Sequence, residues 1–285
     1  MALTINTNLS SLIVQKNLSS ATTSLNSAIE RMSTGYKINH AKDDAAGYSI
    51  AANWKTMLGS LDIASENASM GADMLKTAEE NYSLITEHLQ RVRDLTEQAA
   101  NGTYGQDSLT AIKSEMTARL MEINRIAANC EFNGIKLMDG TQSKAINLQV
   151  GLNSGATNVI KLEAALFEEA TASGLLNAKA GAFKTFVDEA GATETAAGKL
   201  AEIDNAIKEI SSRVTSIGSA QNRVDSAISA ISVQSENLTS SLSTIRDADV
   251  AEESSNYIKA QILQQASATL LATANQTPSI ALNLI

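Results

Sequence analysis

The chain has 285 residues, a net charge of −9, 44% hydrophobic but only 4% aromatic residues, one Pro and one Cys. The acidic balance, with no basic stripe, argues against a nucleic-acid surface. The lone Cys130 cannot form an internal disulfide and reads as a small core residue, and no run of 18 apolar residues offers a membrane span.

In chain order, Leu9 to Met32 predicts an amphipathic helix, with Leu18, Thr22, Leu25, Ile29 and Met32 as its stripe. Asn6, Thr7 and Asn8 are candidate caps and Gly35 a candidate stop. Lys16 is the only charged side chain from Met1 to Ile29, so neither the basic leader nor the continuous apolar core of a cleaved secretory signal is expected. Residues 33–54, "STGYKINHAKDDAAGYSIAANW", break the rhythm and predict a connector with a short helix.

From Met57 the pattern is strict. Met57, Leu61, Ala64, Ala68, Gly71, Leu75, Ala78, Tyr82, Ile85, Leu89, Val92, Thr96 and Ala99 alternate spacings of four and three. A second run, Leu109, Ile112, Met116, Leu120, Ile123 and Ala127, follows the turn-rich "NGTYGQDS". A third runs from Leu200 through Ile203, Ile210, Ile217, Val224 and Ile231 to Ile245. Heptads sustained this long predict an antiparallel coiled-coil rod, roughly 60 to 70 Å long at 1.5 Å per residue.

Between the second and third runs the period falls to two: "AINLQVGL" and "VIKLE", separated by "NSGATN", predict a β-hairpin over about 145–164. Residues 166–198, rich in Ala, Gly and Thr, predict a small surface excursion. A final helix is expected from about Val250 to Asn275, with Ile258, Ile262, Leu263, Leu270 and Leu271 as apolar members, and Thr277 and Pro278 opening a last short turn. The fold class is mainly α: a long helical rod over 45–245 carrying the hairpin, and paired terminal helices from a discontinuous domain of 1–44 and 246–285.

The closing stretch 260–285 has no charged side chain. Covering such ends on one seam buries too little apolar surface to offset the entropy of ordering them. They are expected to fold when sister copies cover their other faces, making Leu9, Leu18, Leu25, Ile29, Met32, Ile258, Ile262, Leu263, Leu270 and Leu271 the candidate polymerisation residues. Lys42, Asp43 and Asp44 form a charged cluster expected to fix the connector, or its contact to a neighbour, through salt bridges.

Catalytic and metal chemistry find little support. His40 and His88 lack the helical spacing of paired ligands. No nucleophile or oxyanion scaffold accompanies Lys42, Asp43 and Asp44, and "GATETAAGKL" puts Leu200 where a phosphate loop needs Ser or Thr. No enzyme and no cofactor are expected.

Four stretches in series, "MSTGYKINHAKDDAAGYSIAANW", "QRVRDLTEQAANGTYG", "EINRIAANCEFNGIKLMDG" and "ANQTPSIALNLI", resemble conserved segments of the bacterial flagellins, in the correct order. The resemblance covers roughly 1–165 and 200–285, and the chain resembles a short flagellin without large outer variable domains. It departs from the family pattern at His40, Tyr48 and the terminal "SIALNLI". The resemblance implies a subunit of the extracellular flagellar filament, a helical homopolymer used in swimming. Such a subunit is exported unfolded, without a cleaved signal, by the flagellar export apparatus with a secretion chaperone. It is then added at the distal tip beneath a cap protein, on hook-junction proteins. It also implies a surface for the vertebrate Toll-like receptor that detects flagellin, at Arg91, Leu95 and Glu115, residues that equally fit lateral contacts. Arg91 and Leu95, four apart, share a helix face one step off the seam. The alternatives are a hook–filament junction adaptor, disfavoured because the match continues through QRVR and FNG, and a cytoplasmic coiled-coil signalling module, which leaves the uncharged ends unexplained.

Overall fold

The computed structural model describes residues 8–142, 144–153, 155–176 and 183–282, with 183–184 and 277–282 as backbone only. Seven helices are described: α1 (Leu9–Thr34), α2 (Ala45–Ala100), α3 (Gln106–Asn129), the short α4 (Ala172–Leu175) and α5 (Phe183–Ala190), α6 (Thr193–Arg246) and α7 (Val250–Leu282). Four strands make two antiparallel pairs, β1 (Glu131–Phe132) with β2 (Ile135–Lys136), and β3 (Ile146–Gln149) with β4 (Val159–Leu162). The chain divides into two compact units: one of Met1–Leu58 with Glu236–Ile285, the other Gly59–Ser235.

The Gly59–Ser235 unit is built on the heptads. Every α2 seam position from Leu61 to Ala99 is buried. The apolar ones from Ala68 to Ala99 form one core with Met116, Leu120 and Ile123 of α3 and Ile203, Ile210, Ile217 and Val224 of α6. Arg93 Nε donates to Asp204 Oδ1 at 2.7 Å and Gln221 Nε2 to Glu79 Oε2 at 2.8 Å, so α6 runs antiparallel to α2. In α6 the seam alternates buried and half-buried positions as far as Ile231, and from Ser235 onward it is only half-buried.

The predicted hairpin is present, with Ile146 opposite Leu162 and Leu148 opposite Ile160. It rests on α2 at Gly71, where a built Cβ would lie 2.3 Å from Leu148 Cδ1. Glycine is needed there for close approach. A second turn escaped the period-two reading because its strands are two residues long. Between β1 and β2, Asn133 and Gly134 take φ of 49° and 80°, and the Asn-Gly pair is the signal for a tight hairpin turn.

Three expectations need correction. The connector is shorter than 33–54, because α2 starts at Ala45, where helix-forming alanines follow the cap-forming Asp44. The segment 166–198 is not a surface excursion, insofar as it lies within the described residues. Phe167, Ala170, Leu175, Phe186 and Ala190 belong to the main core. Polar staples hold its path: Tyr82 Oη donates to Leu166 O at 3.1 Å, Ala172 N to Asn124 Oδ1 at 2.8 Å, and the buried Arg213 to the carbonyls of Glu168 and Glu169. Its small residues suit close packing, which composition alone does not distinguish from a loop. Finally, α7 does not break at Thr277; its helix continues through Pro278 to Leu282.

Candidate functional site

The terminal pair begins with caps. Asn8 Oδ1 accepts from Ser11 N at 3.0 Å, opening α1. Gly35, at φ 75°, closes it with its N–H on Arg31 O, a left-handed position that glycine fills without steric cost. Of the other candidate caps, Asn6 and Thr7 lie outside the described residues.

Helices α1 and α7 pack against each other antiparallel, as their polar cross-contacts show: Asn8 meets Ala274, Thr22 meets Gln264 and Arg31 meets Glu253. Apart from Glu253, the residues buried at the seam are small, Ala21 and Ala28 on α1 and Ala260 and Ser267 on α7, each pair seven apart. This corrects the expected stripe. Alanine and serine let two backbones approach, so the leucines and isoleucines are displaced to the flanks. Leu18, Leu25 and Leu271 are half-buried, while Leu9, Ile29, Met32, Ile258, Ile262, Leu263 and Leu270 are exposed, Leu9 at 66% and Ile262 at 60%. Leu12, Ile13 and Val250 join this exposed set, which the sequence reading missed because they fall off the chosen stripe. A groove of about 810 Å³ runs between the helices, lined by Ser20, Ser24, Ser27, Lys259, Leu263 and Ala266 among others.

The pair contains one partly buried ion pair. Glu253 is 7% exposed, and Arg31 Nη1 donates to its Oε1 at 3.0 Å. Beyond Gly35, a clasp joins the connector to the turn between α6 and α7. Lys37 N donates to Arg246 O at 2.7 Å, Ala248 N to Gly35 O at 2.8 Å, and the Arg246 guanidinium lies 4.1 Å from the Tyr36 ring centroid.

In the connector the two aspartates hold backbone N–H groups, where salt bridges were expected: Asp43 closes the turn and Asp44 caps α2. Asp43 Oδ2 accepts from His40 N at 2.9 Å and Asn39 N at 3.2 Å, and Asp44 Oδ1 accepts from Ala46 N at 3.1 Å. The backbone hydrogen bond from His40 leads the effects holding the Asp43 carboxyl below its ordinary range; that from Asn39 and the charge of Lys42 also lower it. Lys42 itself is exposed. A short acidic side chain readily satisfies nearby backbone N–H groups, at the helix start for Asp44 and in the preceding turn for Asp43. Gly47 completes the turn, since a Cβ there would lie 2.3 Å from Asp44 Oδ2 and 2.8 Å from Ile38 Cδ1.

In the Gly59–Ser235 unit, Arg91 Nε donates to Glu115 Oε1 at 2.9 Å, and Arg119 approaches the same oxygen at 3.8 Å. The Arg91 hydrogen bond holds the Glu115 carboxyl below its ordinary value, and Glu115 in turn raises Arg91. Leu95 does not join them on the surface. At 1% exposure it is a core residue, because α2 packs against both α3 and α6 and so buries a wider stripe than one seam requires. Cys130 is buried too, its thiol pushed up to about 11 by loss of solvent. Among the described residues no helix is long and apolar enough to cross a membrane, and no group of three or more His, Cys, Asp or Glu is placed to hold a metal ion.

Residues 5–143 match the pattern described as the bacterial flagellin N-terminal helical region, and residues 200–285 the bacterial flagellin C-terminal helical region. The chain is 35% identical over 302 residues to the flagellin of Bacillus subtilis, with 99% of each chain covered. It is 32% identical over 287 residues to flagellin FlaB2 of Treponema pallidum, again with 99% of each covered. Among solved structures, a putative flagellar hook-associated protein from Vibrio parahaemolyticus matches with a TM-score of 0.61, covering 72% of this chain and 100% of that one; its 16% identity shows the shared fold alone. The two matched regions and the full-length relatives settle the family: the chain belongs to the bacterial flagellins, as a short member, and is a structural subunit of the flagellar filament.

Proposed function

We propose that the chain polymerises through the outward faces of α1 and α7, with Leu9, Ile29, Met32, Ile258, Ile262, Leu263 and Leu270 buried against sister copies and Leu18, Leu25 and Leu271 sealing the flanks. The observation that carries this reading is the inverted packing of the pair: small residues inside, large aliphatic residues outside. Exposed aliphatic side chains at this density mark an interaction surface. The connector residues Lys42, Asp43 and Asp44 hold the start of α2 in place for that assembly. The family supports the rest of the route: export of the unfolded chain with its chaperone, and addition beneath a cap onto hook-junction proteins. The adaptor alternative has only a shared fold in its favour. Ile262→Glu in the full chain tests the surface: the free subunit keeps its unfolding midpoint, while seeded growth of polymer stops. Normal growth by this variant would reject the proposed interface.

On the other unit, the exposed Arg91–Glu115 pair is the part of the family's receptor-recognition set that a Toll-like receptor can reach, with Leu95 supporting it from beneath. The same pair also suits lateral contact between copies. Arg91→Ala is expected to weaken binding of the free subunit to the receptor ectodomain by about tenfold, the scale of one lost charge-assisted bond. Unchanged affinity in a titration would remove receptor recognition from this pair.

A further inference from the structure

A seam of small residues at heptad spacing holds two helices together but says little about where along each other they stop. Sliding α7 by one heptad, about 10 Å at 1.5 Å per residue, would bring small side chains opposite small side chains again, since Ala21 and Ala28 face Ala260 and Ser267 at the same spacing. Polar contacts at the two ends do not repeat in this way.

The first lies at Asn8. Pro278, the only proline in the chain, sits inside α7 and has no N–H for the carbonyl four residues earlier, that of Ala274. Asn8 Nδ2 donates to that carbonyl at 2.7 Å, while Asn8 Oδ1 caps α1. One amide thus closes the start of one helix and the gap in the other. Ser11 Oγ adds a bond to Asn275 Oδ1 at 2.8 Å.

The second is Arg31 with Glu253. Helix α1 carries three charged side chains, Lys16, Glu30 and Arg31. A one-heptad slip in either direction therefore finds no other cation on α1 for the nearly buried Glu253. Leaving a buried carboxylate unpaired is strongly destabilising.

We propose that these two polar pins, Asn8 on the carbonyl that Pro278 leaves open and Arg31 on Glu253, set the register of the α1/α7 pair, and so decide which aliphatic faces a second copy meets. This rests on the terminal pair being the polymerisation surface. Register is read within one chain by disulfide capture, using full-length chains with Cys130→Ser. Thr22→Cys is paired with Gln264→Cys, which reports the present register through the observed Thr22–Gln264 contact. Pairing it with Tyr257→Cys or Leu271→Cys reports a slip of one heptad either way.

In an otherwise unaltered chain grown onto filament seeds, the 22–264 pair captures and the other two do not. Adding Asn8→Asp, which keeps the cap but loses the donor, together with Arg31→Glu is expected to cut 22–264 capture by at least about threefold. That factor corresponds to a loss of RT ln 3, well within what breaking a buried pair supplies. Arg31→Glu with Glu253→Arg, on an intact Asn8, is expected to restore 22–264 capture lost in Arg31→Glu alone. Undiminished 22–264 capture in the Asn8→Asp/Arg31→Glu chain would overturn the proposal, as would failure of the charge exchange to restore it. Ile262→Glu separates this from the interface itself. If that variant polymerises normally the docking surface is wrong, whatever the register measurements show.

Discussion

Helix α2 between Leu61 and Ala99 and helix α7 between Val250 and Leu271 are both rich in Ala, Leu and Ile, yet they bury them in opposite ways. On α2 the large side chains Leu75, Tyr82, Ile85 and Leu89 are all fully enclosed. On α7 only Glu253, Ala260 and Ser267 are buried, and Ile258, Ile262 and Leu270 face outward. Almost all of the net negative charge also falls between Gly59 and Ser235, leaving the terminal unit close to neutral. Net charge makes copies of a surface repel one another, and its near absence on the terminal unit removes that repulsion, in keeping with the proposed interface. The heptad rhythm alone therefore does not say whether a helix has completed its core or awaits a partner. Knowing which side chains occupy the inside of the seam does.

The sharpest way to break this comparison is to truncate a leucine on each side of it. Leu89→Ala should destabilise the free subunit by about 2–5 kcal/mol, the range for a fully buried leucine, in a denaturant unfolding curve followed by circular dichroism. Leu270→Ala should change the same curve by no more than about 0.5 kcal/mol, as for other exposed sites, while raising the concentration needed for seeded growth. Equal effects on unfolding would remove the distinction between the two regions.

A smaller effect is expected where the hairpin meets α2. Gly71→Val forces a side chain into Leu148 and should cost about 1–3 kcal/mol, the usual range for overpacking, with Leu148→Ala in the same chain recovering part of it. If Gly71→Val were neutral, the hairpin would not be seated on α2 as described.

The smallest effect belongs to the exposed Arg91–Glu115 pair. The Glu115 carboxyl is held below its ordinary 4.5 by Arg91. Its contribution to the folded state is therefore fully present above pH 4.5 and fades as pH falls through the lowered value. A carboxyl NMR titration should place the Glu115 midpoint below 4.5, and Arg91→Gln should move it back up. A Glu115 midpoint indifferent to Arg91 would mean the pair is not formed in solution.

Much of this was legible in the residues. The seam from Leu61 to Ala99, the runs through Ile123 and Ile217, the Gly35 stop and the Ile160/Leu162 strand follow from period and from turn chemistry, which are local properties. The missing charge of the terminal residues, which motivates the proposed assembly surface, is likewise legible in the sequence. Arg31 and Glu253 were not recognisable as partners, because they lie 222 positions apart. Nor could Pro278 announce that its lost hydrogen bond would be replaced by an amide from Asn8 at the far end of the chain. Leu95 lies one step off the seam and is enclosed only because α2 packs against two helices, and 166–198 reads as a surface excursion because small residues suit both loops and tight packing.

By itself the sequence determined where the cores of the long helices lie, the Asn8 and Gly35 ends of α1 and which stretches lack charge, since each depends on neighbours within a turn or two along the chain. Only the tertiary structure decided which face of each helix is enclosed. Burial depends on what packs opposite, and at α1 and α7 alanine and serine won the inside because they bring two backbones close, sending leucine and isoleucine outward.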